Sequence, residues 1–180
     1  MEYVKTEIPE VIIITPKVFG DERGFFMETF RHEEFVKNCG NYNFVQDNHS
    51  SSGHGILRGL HYQLTQPQGK LVRVTRGEVF DVAVDMRKDS PTFGKWVGEY
   101  LSEQNRKMLW VPPGFAHGFY VTSEMAEFQY KCTDYYAPHS ECSLLWNDPI
   151  VSIKWPISDR PPLLSDKDSK GKLFIECPYY

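Results

Sequence analysis

The sequence predicts an all-β fold, a jelly roll or small barrel of two antiparallel sheets, and three observations carry that prediction. Short runs rich in β-branched and aromatic residues recur about ten times, each bounded by Gly, Pro, Ser or Asn. Helix-period patterns are few. The 180 residues are 41% hydrophobic and 14% aromatic, which excludes a disordered chain and fits one domain over residues 1–180 with a proper core.

In chain order the first runs are VIII at 11–14, GFFMETF at 24–30, FVQDN at 44–48 and ILRGLHYQ at 56–63. Their side chains suit a pleated, half-buried surface. LVRV at 71–74 and VFDVAVD at 79–85 are separated by Thr75, Arg76, Gly77 and Glu78, a Gly-containing connection of hairpin length that predicts antiparallel pairing of the two. WVGEYL at 96–101, KMLWV at 107–111, FAHGFYV at 115–121 and EFQYKCT at 127–133 complete the set. A helix is expected from Glu33 to Asn38, closed by Gly40, and a short helical turn from Ser165. The SSS at 50–52 reads as a polar loop, and no repeat or linker is present. Two sheets closed on each other make a cup that can hold a ligand.

Charge and motifs narrow the function. With 24 acids against 20 bases, and the bases scattered, the chain has no electrostatic footprint for nucleic acid. No apolar run is long enough to span a membrane, and MEYVKTEIPEV carries charges where a signal peptide needs an apolar core. A cytoplasmic protein is expected. Cys39, Cys132, Cys142 and Cys177 lie far apart without a C-x-x-C pair, which suits reduced thiols rather than a zinc site or a disulfide framework. His32, His49, His54, His61, His117 and His139 form no H-x-H pair and no H-E-x-x-H, so no metal site is expected. P-loop, G-x-G-x-x-G and G-x-S-x-G motifs are also missing.

Several residues have two readings. His61, in a segment built like a buried strand, is a hydrogen-bonded core histidine or a base. Strict alternation sets Arg58 and His61 on opposite faces, but Gly59 permits a bulge that turns both inward. Lys70 is a solvated strand-start lysine or an oxyanion stabiliser. Tyr130 shares parity with Phe128 and Cys132, so its phenol is a packing group or a general acid on the apolar face. His117, after PPGFA, is a ligand contact or a loop staple. Asp168 forms a capping-box-like start with Ser165 or orients His61. Arg23 is a solvent-exposed loop arginine or a phosphate clamp.

Taken together, DERGFFMETF, FVQDN, GILRGLHYQ, QGKLVRVTRGEVFDVAVDMRKDSPTFG, PPGFAHGF, YKCTDYYAP, WNDP, IKWP and LLSDKD closely resemble the dTDP-4-dehydrorhamnose 3,5-epimerase family. Order and spacing agree from about residue 5 to 170. The resemblance implies a cupin-like jelly roll without metal or other cofactor, acting as a cytoplasmic homodimer in which each N-terminal region packs against the partner. It implies that His61 is the base, Asp168 its orienting partner, Lys70 the enolate stabiliser and Tyr130 the acid on the opposite ring face. Arg23, Glu28, Gln46, Asp47, Asn48, Arg58, His117, Glu141 and Lys167 match positions that contact the sugar nucleotide, with Arg23 and Arg58 near the diphosphate and the keto sugar.

The residue types suit that chemistry independently of the family. A 4-keto sugar such as dTDP-4-keto-6-deoxyglucose has acidified C–H bonds at carbons 3 and 5, and inversion needs a base, an opposed acid and a charge sink. A relative acting at carbon 3 alone shares this machinery. A binding-only, lectin-like jelly roll would need neither base nor acid, and a cupin dioxygenase would need a metal.

Overall fold

The computed structural model describes residues 1–157 and 160–180. It opens with β1 (Glu2–Lys5), β2 (Ile12–Thr15), β3 (Val18–Asp21), β4 (Gly24–Met27), α1 (His32–Cys39), β5 (Gln46–Gly53) and β6 (Leu57–Gln63). Then follow β7 (Lys70–Arg76), β8 (Glu78–Asp85), β9 (Trp96–Ser102), β10 (Met108–Val111), β11 (Phe115–Val121), β12 (Met125–Cys132) and β13 (Glu141–Ser143). One sheet has the order β1-β2-β10-β7-β12-β5, the other β13-β6-β11-β8-β9, and β3 with β4 forms a separate hairpin. Neighbouring strands in both sheets pair antiparallel, as a jelly roll requires. No helix among the described residues is long and apolar enough to cross a membrane.

Alternation along the strands divides the core. Val72, Val74, Leu109 and Phe128 of the first sheet meet Val79, Ala83, Leu101, Phe119 and Val121 of the second, filling the closed end of the cup. Residues of opposite parity on the second sheet, Leu60, Tyr62, Phe80, Val82 and Val84, are covered outside by Leu144, Val151 and Phe174. On the outside of the first sheet, α1 lays Phe35 edge-on to Trp110 at 4.9 Å. Both faces of β8 are therefore buried, which is why VFDVAVD carries apolar residues at both parities, interrupted only by Asp81 and Asp85.

Three expectations are corrected. LVRV and VFDVAVD do not pair: β7 lies between β10 and β12, β8 between β11 and β9, and the chain changes sheet at Gly77. At that corner Gly77 has φ +73°, and a Cβ would sit 1.9 Å from the Met125 carbonyl oxygen. The SSS run is the middle of β5, an edge strand in register with β12 from Gln46 opposite Cys132 to Gly53 opposite Met125. Ser50 lines a polar cavity, Ser51 is exposed and the buried Ser52 accepts from Arg58, so hydropathy does not mark the run. GFFMETF is strand only to Met27, because its pairing with β3 ends where Val18 meets Met27. The short strands β1, β3 and β13 carry too little pattern to be read from sequence.

The bulge at Gly59 is present. The β6–β11 register shifts between His117 and Phe119, and Gly59 has φ +119° with its Cα side against Gly118. A Cβ on Gly59 would lie 2.6 Å from the Gly118 Cα. Gly59→Ala is expected to destabilise the fold by more than about 1 kcal/mol, read as a lower urea midpoint at unchanged m-value.

Candidate active site

After the bulge, Leu60 and Tyr62 point outward into the covered face, so His61 and Gln63 point into the cup. Arg58, before the bulge, reaches the same cup, its Nε donating to Ser52 Oγ at 2.9 Å. The cavity, about 370 Å³, lies at the open end between the sheets and is lined by His61, Gln63, Arg58 and His117 on one wall. Gln46, Asn48, Ser50, Lys70, Phe128 and Tyr130 line the other, with Tyr136, Glu141 and Lys167 at the rim.

Asp168 makes the contacts that both readings call for, without capping the short helix at Asp168–Lys170. Ser165 Oγ donates to Asp168 Oδ2 at 2.7 Å and accepts the Asp168 backbone N–H at 3.1 Å, while His61 Nε2 lies 2.6 Å from Asp168 Oδ1. Burial alone would raise this carboxyl, but the His61 and Ser165 hydrogen bonds, with the Gly59 backbone N–H, hold it below the usual carboxylate range. An ionised Asp168 accepts the Nε2–H, which fixes the tautomer and leaves Nδ1 as the basic nitrogen.

On the facing sheet, Lys70 and Tyr130 come from adjacent strands, β7 and β12. Burial pushes the Lys70 ammonium down against the pull of Cys132, Glu141 and Asp81. Lys70 Nζ makes no hydrogen bond with any described residue, so its donors are available to a ligand. Burial also pushes the Tyr130 phenol up to about 12. It therefore stays protonated through the neutral range and can donate. Because the unfolded phenol titrates near 10, this stability contribution is fully present below pH ~10 and is lost as pH rises through about 12. Subtracting the ultraviolet titration of Tyr130→Phe from that of the wild type should show this phenolate absent at pH ~10 and appearing toward about 12.

His117 is buried, with Nε2 2.9 Å from each carboxylate oxygen of Asp81. Sequence reasoning missed Asp81, although its signal was available: an acid inside VFDVAVD, in parity with Val79 and Ala83, has to face the inside of the cup. Also missed were Gln63, Gln68, Ser50 and Tyr136, polar residues in segments whose direction the sequence does not fix. At the rim, Lys167 Nζ lies 2.6 Å from Glu141 Oε1, and the Tyr136 hydroxyl donates to Oε2 at 2.9 Å. Burial raises Glu141, but these two partners hold it below the ordinary range.

Of the sequence-predicted site residues, the cavity brings together His61, Lys70, Tyr130, Gln46, Asn48, Arg58, His117, Glu141 and Lys167, with Asp168 behind His61. Three lie apart. Asp47, between Gln46 and Asn48 on one strand, points to the opposite face and pairs with Lys131 at 3.0 Å. Glu28 pairs with Arg31, and Arg23 sits exposed at the β3–β4 turn, bonded to Asp21. Among the described residues no group of three or more His, Cys, Asp or Glu is placed to hold a metal ion.

A jelly roll that sets a carboxylate-anchored imidazole across a closed cup from an ammonium and a phenol belongs among cupin-like enzymes that move protons on carbon. The particular family follows from sequence: the model of the dTDP-4-dehydrorhamnose 3,5-epimerase family matches residues 5–176, and the chain belongs to that family of sugar-nucleotide epimerases. It is 58% identical over 178 residues to the dTDP-4-dehydrorhamnose 3,5-epimerase of Pseudomonas aeruginosa, covering 98% of each chain. Among solved structures it superposes with TM-score 0.95 on a dTDP-6-deoxy-D-glucose-3,5-epimerase from Legionella pneumophila crystallised with dTDP-4-keto-L-rhamnose, at 54% identity over 98% of this chain and 94% of that one. A 3'-monoepimerase from Streptomyces bikiniensis in complex with dTDP-quinovose is more distant, with 33% identity, TM-score 0.88 and 95% and 87% coverage.

Proposed function

We propose that this protein inverts carbons 3 and 5 of dTDP-4-keto-6-deoxy-D-glucose, giving dTDP-4-keto-L-rhamnose for dTDP-L-rhamnose synthesis. The observation that carries the mechanism is the His61–Asp168 pair on one wall of the cup with Lys70 and Tyr130 on the other. His61 Nδ1 takes the proton from carbon 3, the C–H electron pair becomes an enolate on the keto oxygen, and the Lys70 ammonium stabilises that charge more than it does the neutral ketone. Tyr130 returns a proton to the same carbon from the opposite ring face. Exchange with water then reprotonates Tyr130 and deprotonates His61, and the cycle repeats at carbon 5. No redox or metal cofactor enters these steps.

Arg58, Gln46, Asn48, His117, Glu141 and Lys167 are positioned in the cavity to contact the sugar nucleotide. Arg23 and Glu28 do not line the cavity of their own chain and are assigned to a partner's cavity, in a cytoplasmic homodimer without nucleic-acid or membrane partners. The β3–β4 hairpin supports this assignment: it exposes Phe19, Phe25 and Phe26, an apolar surface suited to cover by a second copy. Phe26→Glu should lower the dimer fraction in analytical ultracentrifugation; an unchanged dimer would remove the hairpin from the interface.

The test of the reaction is proton NMR of the protein with dTDP-4-keto-6-deoxyglucose in heavy water, with a 4-keto reductase added to trap product. Deuterium entry at carbons 3 and 5 and trapped dTDP-L-rhamnose is the expected result. Entry at carbon 3 alone assigns the monofunctional reading, which the greater identity to the 3,5-epimerases disfavours. No entry at either carbon returns the protein to a binding role.

A further inference from the structure

At the rim of the cavity lies a loop, Thr133–Ala137, with no secondary structure of its own, and side-chain amides hold it from three directions. Gln63, at the end of β6 and only 3% exposed, donates from Nε2 to the carbonyls of Gln66 at 2.7 Å and Tyr135 at 3.1 Å. Its Oε1 accepts the Ala137 N–H at 2.8 Å. Gln68, between β6 and β7, donates to the Asp134 carbonyl at 2.8 Å, and Gln46 of β5 accepts the Tyr136 N–H at 3.0 Å. Each of these glutamines also lines the cavity. From the loop, Tyr136 lines the cavity, and its hydroxyl reaches the Glu141–Lys167 pair.

We propose that Gln63 and Gln68, with Gln46, form a clamp that holds the Tyr136 loop in its binding position, making Gln63 and Gln68 positioning residues for substrate affinity. The inference rests on the epimerase reading and adds a source of affinity within it. Tyr136 is largely exposed, and without the clamp its backbone would have to be ordered when substrate binds. Amides that order the loop beforehand remove that entropy loss from binding while leaving the His61 and Tyr130 chemistry untouched.

The experiment replaces Gln63 and Gln68 by methionine, singly and together, and also in a Tyr136→Ala background. KM for dTDP-4-keto-6-deoxyglucose should rise about 10-fold per substitution while kcat stays within about twofold. In the Tyr136→Ala background the same substitutions should add little, because they act through that residue. A fall in kcat at unchanged KM would mean that Gln63 only braces His61, two residues away, and would overturn the clamp. Additive effects with Tyr136→Ala would overturn it too. Gln68→Met, at a half-buried position, keeps the test open if Gln63→Met does not fold. Hydrogen exchange at the Ala137 amide should quicken in Gln63→Met whatever the substrate, and unchanged protection there would count against the clamp. A wild-type protein without turnover would instead sink the epimerase reading.

Discussion

His61→Ala is expected to abolish deuterium exchange at both carbon 3 and carbon 5, lowering turnover by about 10³- to 10⁴-fold, the upper part of what general acid–base catalysis contributes. One imidazole is expected to serve both carbons: both cavity histidines are held by a carboxylate, but the His61 side chain keeps 26% exposure at the cavity, whereas His117, at 7%, is buried against Asp81. Losing the ring leaves Asp168 with Ser165 and the Gly59 N–H, so the fold should survive with a loss of about 1–3 kcal/mol for the unpaired contact. His61→Asn separates the roles: its amide can still donate to Asp168, but it has no basic nitrogen, and the same loss of exchange is expected. Measurable exchange at carbon 5 in either variant would place a second base in the cup and remove the single-base mechanism. Asp168→Asn should retain more activity than His61→Ala, since the base remains and only its orientation and charge support are lost.

Alternation and the bulge glycine made the His61 and Tyr130 sides of the cavity legible in the sequence. The parity of Tyr130 with Phe128 put the phenol inside, and Gly59 allowed Arg58 and His61 to share a face, as the shifted β6–β11 register shows. What stayed hidden depended on contacts between distant segments. Nothing local to Gly77 says that the chain there leaves one sheet for the other; that is set by the distant strands which β7 and β8 pair with, β10 and β12 on one side and β11 and β9 on the other. The serines of β5 are strand because β12 offers a complete register and the cavity tolerates hydroxyls, neither of which hydropathy records. Asp168 could not be read one way from sequence because its two oxygens make both contacts, one toward Ser165 and one toward His61. Gln46, Asp47 and Asn48 came as one stretch by resemblance, but a strand presents consecutive residues to opposite faces, and Asp47 turns away.

Tyr130→Phe is expected to uncouple exchange from inversion: deuterium still enters at carbon 3, yet trapped L-rhamnose falls by about 10²-fold or more. The base is on the other wall and remains anchored by Asp168, so proton removal and enolate formation continue with Lys70 as charge sink. What is lost is the donor for the opposite face, and the enolate then collects its proton back from the His61 side, restoring the starting configuration with solvent deuterium in place. The substitution changes little else. Tyr130 packs against the inter-sheet core, its ring 5.9 Å from Phe128, and phenylalanine keeps that packing. A phenol raised to about 12 by burial is also a poor competitor as a base near neutral pH, which leaves its donor role as the one that the substitution removes. Full inversion by Tyr130→Phe would assign the acid to another group, and loss of exchange together with inversion would show that Tyr130 takes part in proton removal itself.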